Sequence, residues 1–139
     1  MYCLDASVIV NSFFPKEQNS QFSSKLMQNI RVSQAVVYLP EIVLPEISSA
    51  IARGTDNPEL AMEFVEQILK VPTFIFIPVE RDISFLASEI AAECRLKGAD
   101  SIYVATAKYF DVPLVTLDSD QREKARKLIK VFHPKEITP

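Results

Sequence analysis

A chain of 139 residues with 48% hydrophobic and 24% charged positions predicts one globular domain, spanning residues 1–139, with a single core. The net charge of −3 argues against a protein that holds nucleic acid through bulk positive charge. The sequence lacks a long apolar run and a secretory signal, so we expect a cytoplasmic protein without a membrane segment. One histidine and two glycines exclude a two-histidine acid–base pair, a P-loop and a dinucleotide-binding glycine motif.

Short apolar runs alternate with longer segments of helical period along the chain. The runs show no strict alternation of polar and apolar residues, as expected for strands buried on both faces. They are Tyr2–Leu4, Val36–Leu39, Thr73–Ile77, Leu114–Thr116 and Val131–Phe132. Strands separated by helices imply right-handed crossovers. The predicted fold class is therefore α/β, with a mostly parallel five-stranded sheet covered by helices on both faces.

Three of the intervening segments predict helices with a defined buried face. Asn57 and Pro58 form a helix start, followed at helical spacing by Ala61, Phe64, Val65, Ile68 and Leu69. A second apolar stripe has the same period and consists of Ile83, Leu86, Ala87, Ile90, Ala91 and Cys94. The segment Ser101–Phe110 is apolar nearly all round, which predicts a deeply buried helix. Cys3 and Cys94 are expected to be buried, reduced thiols.

Acidic residues follow two of the predicted strands. Asp5 closes the first strand, and Asp118 and Asp120 follow the fourth. In parallel sheets, ligands bind beyond the carboxyl ends of the strands, where the strand order reverses. These acids face each other at that point if the first and fourth strands are neighbours, an adjacency that follows from the fold class and not from the sequence itself.

Two further acids border apolar helix faces. Glu46 lies beside the apolar stripe of the segment after the second strand, and Asp100 opens the buried helix on the face of Val104 and Ala107. Charged groups beside a core-facing stripe are costly unless something compensates them. Taken singly, each aspartate could instead cap a helix, and Glu46 could be a solvated edge residue.

The acids taken together indicate a cation site. Carboxylates brought close together raise one another's pKa, so they take up protons or bind a cation. Oxygen-only ligands select hard ions, which favours Mg²⁺ or Mn²⁺ over Zn²⁺ or copper. Such an ion can lower the pKa of a bound water and neutralise charge on an attacked phosphate.

This pattern resembles the PIN-domain nucleases, and within them the VapC-type toxins of prokaryotic toxin–antitoxin pairs. The resemblance covers essentially the whole chain through LDASVIVN with Asp5, LPEIVLPEISSAI with Glu46, KGADSIYVATA with Asp100 and PLVTLDSDQ with Asp118. It implies a three-layer α/β/α sandwich whose four acids bind one or two Mg²⁺ or Mn²⁺ ions. It also implies hydrolysis of RNA phosphodiester bonds by metal-activated water, leaving 5′-phosphate and 3′-hydroxyl ends.

Several polar residues near the motifs have more than one interpretation. The T-x-D arrangement favours Asp118 over Asp120 as the fourth acid, so Asp120 would support the site from outside or cap the next helix. Ser7 matches a hydroxyl often found two residues after the first acid, and it could equally be a helix cap. Asn11 lies on the same helix, from which its amide could contact the site.

The remaining charged and aromatic residues have simpler interpretations. We expect no catalytic role for His133. A basic run is interpreted as a solvated helix face rather than a phosphate-positioning surface; it consists of Arg122, Lys124, Arg126, Lys127 and Lys130. The aromatic side chains of Tyr103, Tyr109 and Phe110 are assigned to the core or to a dimer contact.

Competing functions are judged by what they need at the first strand. A receiver domain needs an acidic pair there and a haloacid-dehalogenase-like phosphatase needs D-x-D, whereas Asp5 is followed by Ala6 and Ser7. A non-catalytic binding module of the same fold is the alternative from another class. For an enzyme, a toxin restrained by a small antitoxin and a stand-alone RNA-processing or quality-control nuclease both stay open. The resemblance and the apolar helices also predict a homodimer.

Overall fold

The computed structural model describes residues 1–138, and its centre is a fully parallel sheet. The strands are β1 (Tyr2–Leu4), β2 (Val37–Pro40), β3 (Phe74–Ile77), β4 (Leu114–Val115) and β5 (Val131–Phe132). Their order across the sheet is β3-β2-β1-β4-β5, and all four pairings are parallel. The prediction of an α/β fold with a mostly parallel five-stranded sheet is confirmed. The first and fourth strands are neighbours, with Leu4 opposite Val115.

Seven α-helices connect the strands. They are α1 (Ala6–Phe13), α2 (Ser20–Ser33), α3 (Val43–Thr55), α4 (Pro58–Leu69), α5 (Arg81–Cys94), α6 (Gly98–Tyr109) and α7 (Ser119–Ala125). A 3₁₀ turn over Pro134–Glu136 follows β5. Within residues 1–138, no helix combines the length and apolarity that a bilayer span requires.

The strand order assigns the helices to two layers. The chain moves in one direction across the sheet from β1 to β2 to β3, and in the opposite direction from β3 to β4 to β5. Because parallel crossovers are right-handed, a reversal of direction moves the connecting helices to the other face of the sheet. Helices α1 to α4 therefore cover one face and α5 to α7 the other, and the strand order reverses between β1 and β4.

The core forms where helix stripes meet the sheet. Helix α6 is the most deeply enclosed, and its Tyr103, Val104 and Ala107 are fully buried, as its sequence predicted. Asn57 accepts a hydrogen bond from the backbone N–H of Leu60 over 3.1 Å, so the predicted start of α4 is confirmed. The stripe of α5 is also confirmed through the burial of Ile83, Ala87, Ile90 and Cys94. Cys3 and Cys94 are free and buried, as expected.

Some predicted boundaries are wrong. Helix α6 begins at Gly98 rather than Ser101, because Lys97 is its N-cap. Helix α3 begins before Pro45, which the first helical turn tolerates because N–H groups there have no intrahelical partner. The predicted buried stripe of α4 includes Leu69, but this residue ends the helix and is 49% exposed. The β2 and β3 strands each begin one residue later than predicted, and β4 ends one residue earlier.

Candidate metal centre

Asp5 lies at the end of β1, on the point where the strand order reverses. Its backbone N–H continues the ladder to Val115 by donating to that carbonyl over 3.0 Å. Its side chain caps α1, since Oδ2 accepts a hydrogen bond from the N–H of Ser7 over 2.9 Å. The residue is only 8% exposed, so this cap is also a buried carboxylate. Capping and a site role are therefore compatible for Asp5.

Asp118 lies three residues past the end of β4 and is exposed. It caps α7 through Oδ1, which accepts from the N–H of Gln121 over 3.1 Å, while its own N–H donates to Thr116 Oγ1. Asp120 is exposed and forms an ion pair with Lys124 at 3.1 Å. The carboxylate of Asp118 therefore accepts from Gln121, whose side-chain amide also interacts with Asp5. The carboxylate of Asp120 instead pairs with Lys124.

Glu46 and Asp100 reach this edge from opposite layers. Glu46 lies in the first turn of α3 and Asp100 in the first turn of α6, and both are partly buried. Asp100 is not the N-cap of its helix, because Lys97 takes that position. The first turn of a helix favours negative charge through the helix dipole. The fold thus brings two strand-end acids and two helix-start acids to one edge of the sheet.

The acids interact electrostatically. Burial raises the pKa of Asp5 above its ordinary value, and Asp118 raises it further, while hydrogen bonds from Ser7 and Gln121 oppose both effects. Burial also raises the pKa of Asp100, with further contributions from Asp5, Asp118 and, more weakly, Asp120, while the charge of Lys97 opposes them. The charge of Asp5 is therefore felt by its neighbours, as expected for carboxylates within several ångströms of one another.

Glu46 completes this set through a hydrogen bond that the sequence did not reveal. Burial raises the pKa of Glu46, and the charges of Asp5 and Asp100 add to the increase. The hydroxyl of Tyr103 opposes it by donating to Glu46 Oε1 over 2.5 Å. The sequence assigned Tyr103 to the core or to a dimer contact. The one available signal was its position three residues after Asp100, on the same helical face.

Gln121 is a second residue that the sequence analysis missed. Its side chain is fully buried, and Nε2 donates to the backbone carbonyl of Asp100 over 3.1 Å. Its backbone N–H is the group that Asp118 caps, and its amide lowers the pKa of Asp5. Gln121 therefore connects three of the four acids. A glutamine in the first turn of a short polar helix gives no sequence signal for such a role.

Ser7 and Asn11, the two residues of α1 predicted near the acids, have different surroundings in the structure. Ser7 Oγ accepts from the N–H of Leu117 over 3.2 Å and lies 3.5 Å from Thr116 Oγ1, which places the hydroxyl between the ends of β1 and β4. Asn11 is buried, but its amide donates to the carbonyl of Gln18 over 3.0 Å, in the segment between α1 and α2. The structure thus brings Ser7 to the acids. A role for Asn11 at the site stays a prediction.

The suitability of this cluster for a metal follows from its donors. Burial and neighbouring carboxylates raise the pKa of Asp5, Glu46 and Asp100, so a hard cation would stabilise the cluster, and oxygen ligands of this kind suit Mg²⁺ or Mn²⁺. Within residues 1–138, no three His, Cys, Asp or Glu side chains stand close enough to share one ion as they lie. The acids therefore form an electrostatic cluster with fitting chemistry, but their side chains are not arranged as a closed ligand set.

Two residues of the basic run, Arg122 and Lys124, make contacts in different parts of the molecule. Arg122 donates to the carbonyl of Thr116 over 3.0 Å, beside the acids. Lys124 pairs with Asp120 and also donates to the carbonyl of Arg95. His133 caps the 3₁₀ turn, where its Nδ1 accepts from the N–H of Lys135 over 3.1 Å.

The fold and the cluster define a class of protein: an α/β domain with carboxylates at the reversal point of a parallel sheet. A family model described as the PIN domain matches residues 2–127. The chain therefore belongs to the PIN domain family, and the resemblance inferred from the four motifs is confirmed. A comparison with curated proteins gives no match.

Solved structures share this fold at low sequence identity. FitAcB from Neisseria gonorrhoeae is 21% identical with a TM-score of 0.75, over 97% of this chain and 99% of that one. A DNA-bound VapBC from Salmonella typhimurium is 14% identical with a TM-score of 0.73, over 96% and 97%. PAE2754 from Pyrobaculum aerophilum is 14% identical with a TM-score of 0.69, over 99% and 91%. At these identities the likeness shows the fold.

Proposed function

We propose that this chain is a single-domain, cytoplasmic, Mg²⁺- or Mn²⁺-dependent endoribonuclease with Asp5, Glu46, Asp100 and Asp118 as its active-site acids. The observation that carries the proposal is their convergence on the gap between β1 and β4, where neighbouring carboxylates raise the pKa of the buried Asp5 and of the partly buried Glu46 and Asp100. Membership of the PIN domain family and the oxygen-only donor set support the same chemistry.

Each acid would hold the ion from a different element of the fold. When bound, the ion supplies neutralisation of charge on the scissile phosphate and a more acidic water. Water adds across the bond between phosphorus and the 3′ oxygen, which leaves a 5′-phosphate and a 3′-hydroxyl. The N–H of Ser7 and the amide of Gln121 fix Asp5, and the hydroxyl of Tyr103 fixes Glu46. Replacing a group that orients a metal ligand typically costs about 10- to 100-fold in metal affinity or activity.

The test compares wild type with Asp5→Asn and Asp56→Asn on a mixed pool of single-stranded and structured RNA. Asp56 is an exposed acid at the end of α3, so its substitution is a control for the loss of one carboxylate. We expect cleavage by wild type and Asp56→Asn in Mn²⁺, none in EDTA, and a loss of at least about 100-fold in Asp5→Asn. Equal cleavage by all three proteins, or persistence of cleavage in EDTA, would overturn the proposal.

The biological role that we propose is the toxin of a toxin–antitoxin pair. The solved structures with this fold include VapBC from Salmonella typhimurium and a toxin–antitoxin complex from Klebsiella pneumoniae. A short open reading frame directly upstream of the gene is expected to encode a small antitoxin. Growth arrest on expression of the chain, relieved by co-expression of that frame, supports a toxin; unaffected growth favours a stand-alone RNA-processing or quality-control nuclease. Gel filtration with light scattering tests the proposed homodimer.

A binding module of the same fold is the second candidate, because the acids do not form a closed ligand set as they lie. Titration calorimetry with Mn²⁺ separates the two candidates independently of any RNA. Binding that is lost in Asp5→Asn and kept in Asp56→Asn supports the enzyme. Absence of Mn²⁺ binding to wild type supports the module.

A further inference from the structure

The acids lie at the carboxyl ends of the strands, and the edge at the amino ends carries a basic cavity that the proposed active site does not use. The cavity has a volume of about 760 Å³ and is lined by residues before β4, residues before β5 and the end of α6. Its charged lining residues are four cations and one acid, namely Lys108, Arg126, Lys127, Lys130 and Asp111. Asp111 and the C-terminal end of α6 reduce the positive potential but do not reverse it.

The four cations are free to meet a ligand. All of them are exposed, and within the described chain none of them forms an ion pair. They come from different elements, since Lys108 lies in the last turn of α6 and Lys130 directly precedes β5. The concentration of cations on one concavity contrasts with the net charge of −3 for the chain. This pattern favours a ligand with several separated negative charges over a single anion.

Helix α6 connects this cavity with the acids. Asp100 lies in its first turn and Lys108 in its last, so the two are ~12 Å apart along the helix axis at 1.5 Å per residue. An RNA strand approaching the acids is repelled by them, and phosphate contacts elsewhere on the protein can offset that repulsion. A single strand of several nucleotides is long enough to span this axial distance.

We propose that the cavity binds the phosphate groups of an RNA strand at a distance from the scissile bond. The proposal rests on the proposed ribonuclease function for the identity of the strand, and it deepens that function by adding a sequence-independent contact. Cleavage of RNA that is long enough to reach the cavity should depend on these cations. Cleavage of a trinucleotide should not.

The test measures binding of fluorescent single-stranded RNA of roughly 16 nucleotides, the upper range for compact single-strand sites. All proteins carry Asp5→Asn and are kept in EDTA, so the RNA stays intact. The test variant is Lys108→Gln/Lys127→Gln/Lys130→Gln. The matched control is Arg53→Gln/Lys70→Gln/Arg81→Gln, which removes the same charge from exposed positions outside the cavity. Circular dichroism melts confirm that each variant is folded.

The expected result is a change in salt dependence. Each lost phosphate contact lowers the slope of log K against log salt by about 0.7, so the cavity variant should lose about 2 in slope. The control should keep the slope of the parent Asp5→Asn protein. Equal slopes in the two variants, or no RNA binding by any protein, would overturn the proposal. Binding of polyglutamate is measured alongside, as a probe for an acidic protein segment. If the cavity variant loses polyglutamate binding but keeps RNA binding, the proposal is overturned in favour of such a segment.

This measurement is independent of the chemistry at the acids. If the cavity variant loses RNA affinity but wild type never cleaves RNA, the cavity site stands and the nuclease function fails. If wild type cleaves RNA and all variants bind it equally, the nuclease function stands and the cavity site fails.

Discussion

Tyr103 donates a hydrogen bond to Glu46 Oε1 over 2.5 Å, and this contact joins two helices from opposite faces of the sheet. Burial raises the pKa of Tyr103, and the carboxylate of Glu46 raises it further, so the phenol keeps its proton and remains a donor. The same bond lowers the pKa of Glu46 against the effect of burial. One buried hydroxyl therefore sets both the position and the ionisation of an acid in the proposed active site.

Tyr103→Phe should reduce metal-dependent RNA cleavage by about 10- to 100-fold, the usual effect of losing a group that orients a metal ligand. It should also lower the free energy of unfolding by about 1 kcal/mol, because one hydrogen bond is lost. The pKa of Glu46 rises without the donor, so the acid side of the pH–rate profile should move to higher pH. Initial rates across a pH series measure both effects.

Tyr109→Phe is the matched control, since Tyr109 lies on the same helix but is 56% exposed. It should leave both the rate and the pH profile unchanged. A parallel loss of activity in the two variants would mean that Tyr103 acts through packing of α6 and not through Glu46.

Asp118 and Asp120 should differ sharply when each is replaced by asparagine. Asp118→Asn keeps an acceptor for the N–H of Gln121 and so keeps the helix cap, but it removes a carboxylate charge felt by Asp5. Cleavage should fall by about 100-fold with little change in stability. Asp120→Asn breaks an exposed ion pair with Lys124, which should cost about 0.3–0.5 kcal/mol and leave cleavage within a few-fold of wild type. The opposite order of the two rates would assign the fourth acid to Asp120.

The sequence predicted the acids because their types and positions carry the signal. Asp5 and Asp118 follow apolar runs, and the parallel fold alone requires that the ends of neighbouring strands meet. Glu46 and Asp100 were visible as charges beside apolar stripes. The neighbouring arrangement of β1 and β4 was not visible, because nothing within either strand encodes its partner.

The residues that organise the acids were not predictable in the same way. Tyr103 and Gln121 are buried polar side chains whose partners lie on other elements, and contacts at such sequence separations have no local pattern. Helix α2 was missed as well, because its mean hydropathy is low and only four of its residues are buried, namely Ser20, Ser23, Leu26 and Ile30. Two of these are serines, so no apolar stripe marks the helix.

The stability of the metal-free protein should fall as pH rises from the acid range. The pKa values of Asp5, Glu46 and Asp100 are raised above ordinary values of 3.8 for aspartate and 4.5 for glutamate. Between the ordinary and the raised values the folded chain binds more protons than the unfolded chain, so the free energy of unfolding decreases with pH. The comparison that isolates this effect is urea unfolding of Asp5→Asn against wild type in EDTA. The variant should gain on the order of 1 kcal/mol at neutral pH and nothing below pH 3.8.

Added Mn²⁺ should reverse the order of these two proteins. A ligand that binds only the folded state at 100 times its dissociation constant stabilises that state by about 2.7 kcal/mol. Wild type should gain this stability and Asp5→Asn should gain much less, while Asp56→Asn behaves as wild type. Equal gains in all three proteins would place the ion away from the cluster.

His133 should give a second, oppositely directed pH effect that is independent of the acids. Burial lowers the pKa of His133, and the charges of Arg122 and Lys135 lower it further, against a smaller opposing effect of Glu136. Its Nδ1 accepts from the N–H of Lys135 over 3.1 Å, and a protonated ring would lose that acceptor. Below the ordinary value of 6.5 the unfolded chain therefore binds more protons, so the free energy of unfolding falls as pH decreases.

His133→Asn tests this effect because asparagine keeps a capping acceptor and does not titrate in this range. His133 is the one histidine in the sequence, so no other imidazole contributes to the slope. Urea unfolding of wild type should show stability falling from about pH 6.5 downward, and the variant should lose that component while matching wild type at higher pH. His133→Ala should be about 1 kcal/mol less stable than His133→Asn at all pH values, because it also loses the cap. Identical pH dependence in wild type and His133→Asn would mean that the ring titrates equally in the folded and unfolded chains, against the burial that the structure gives it.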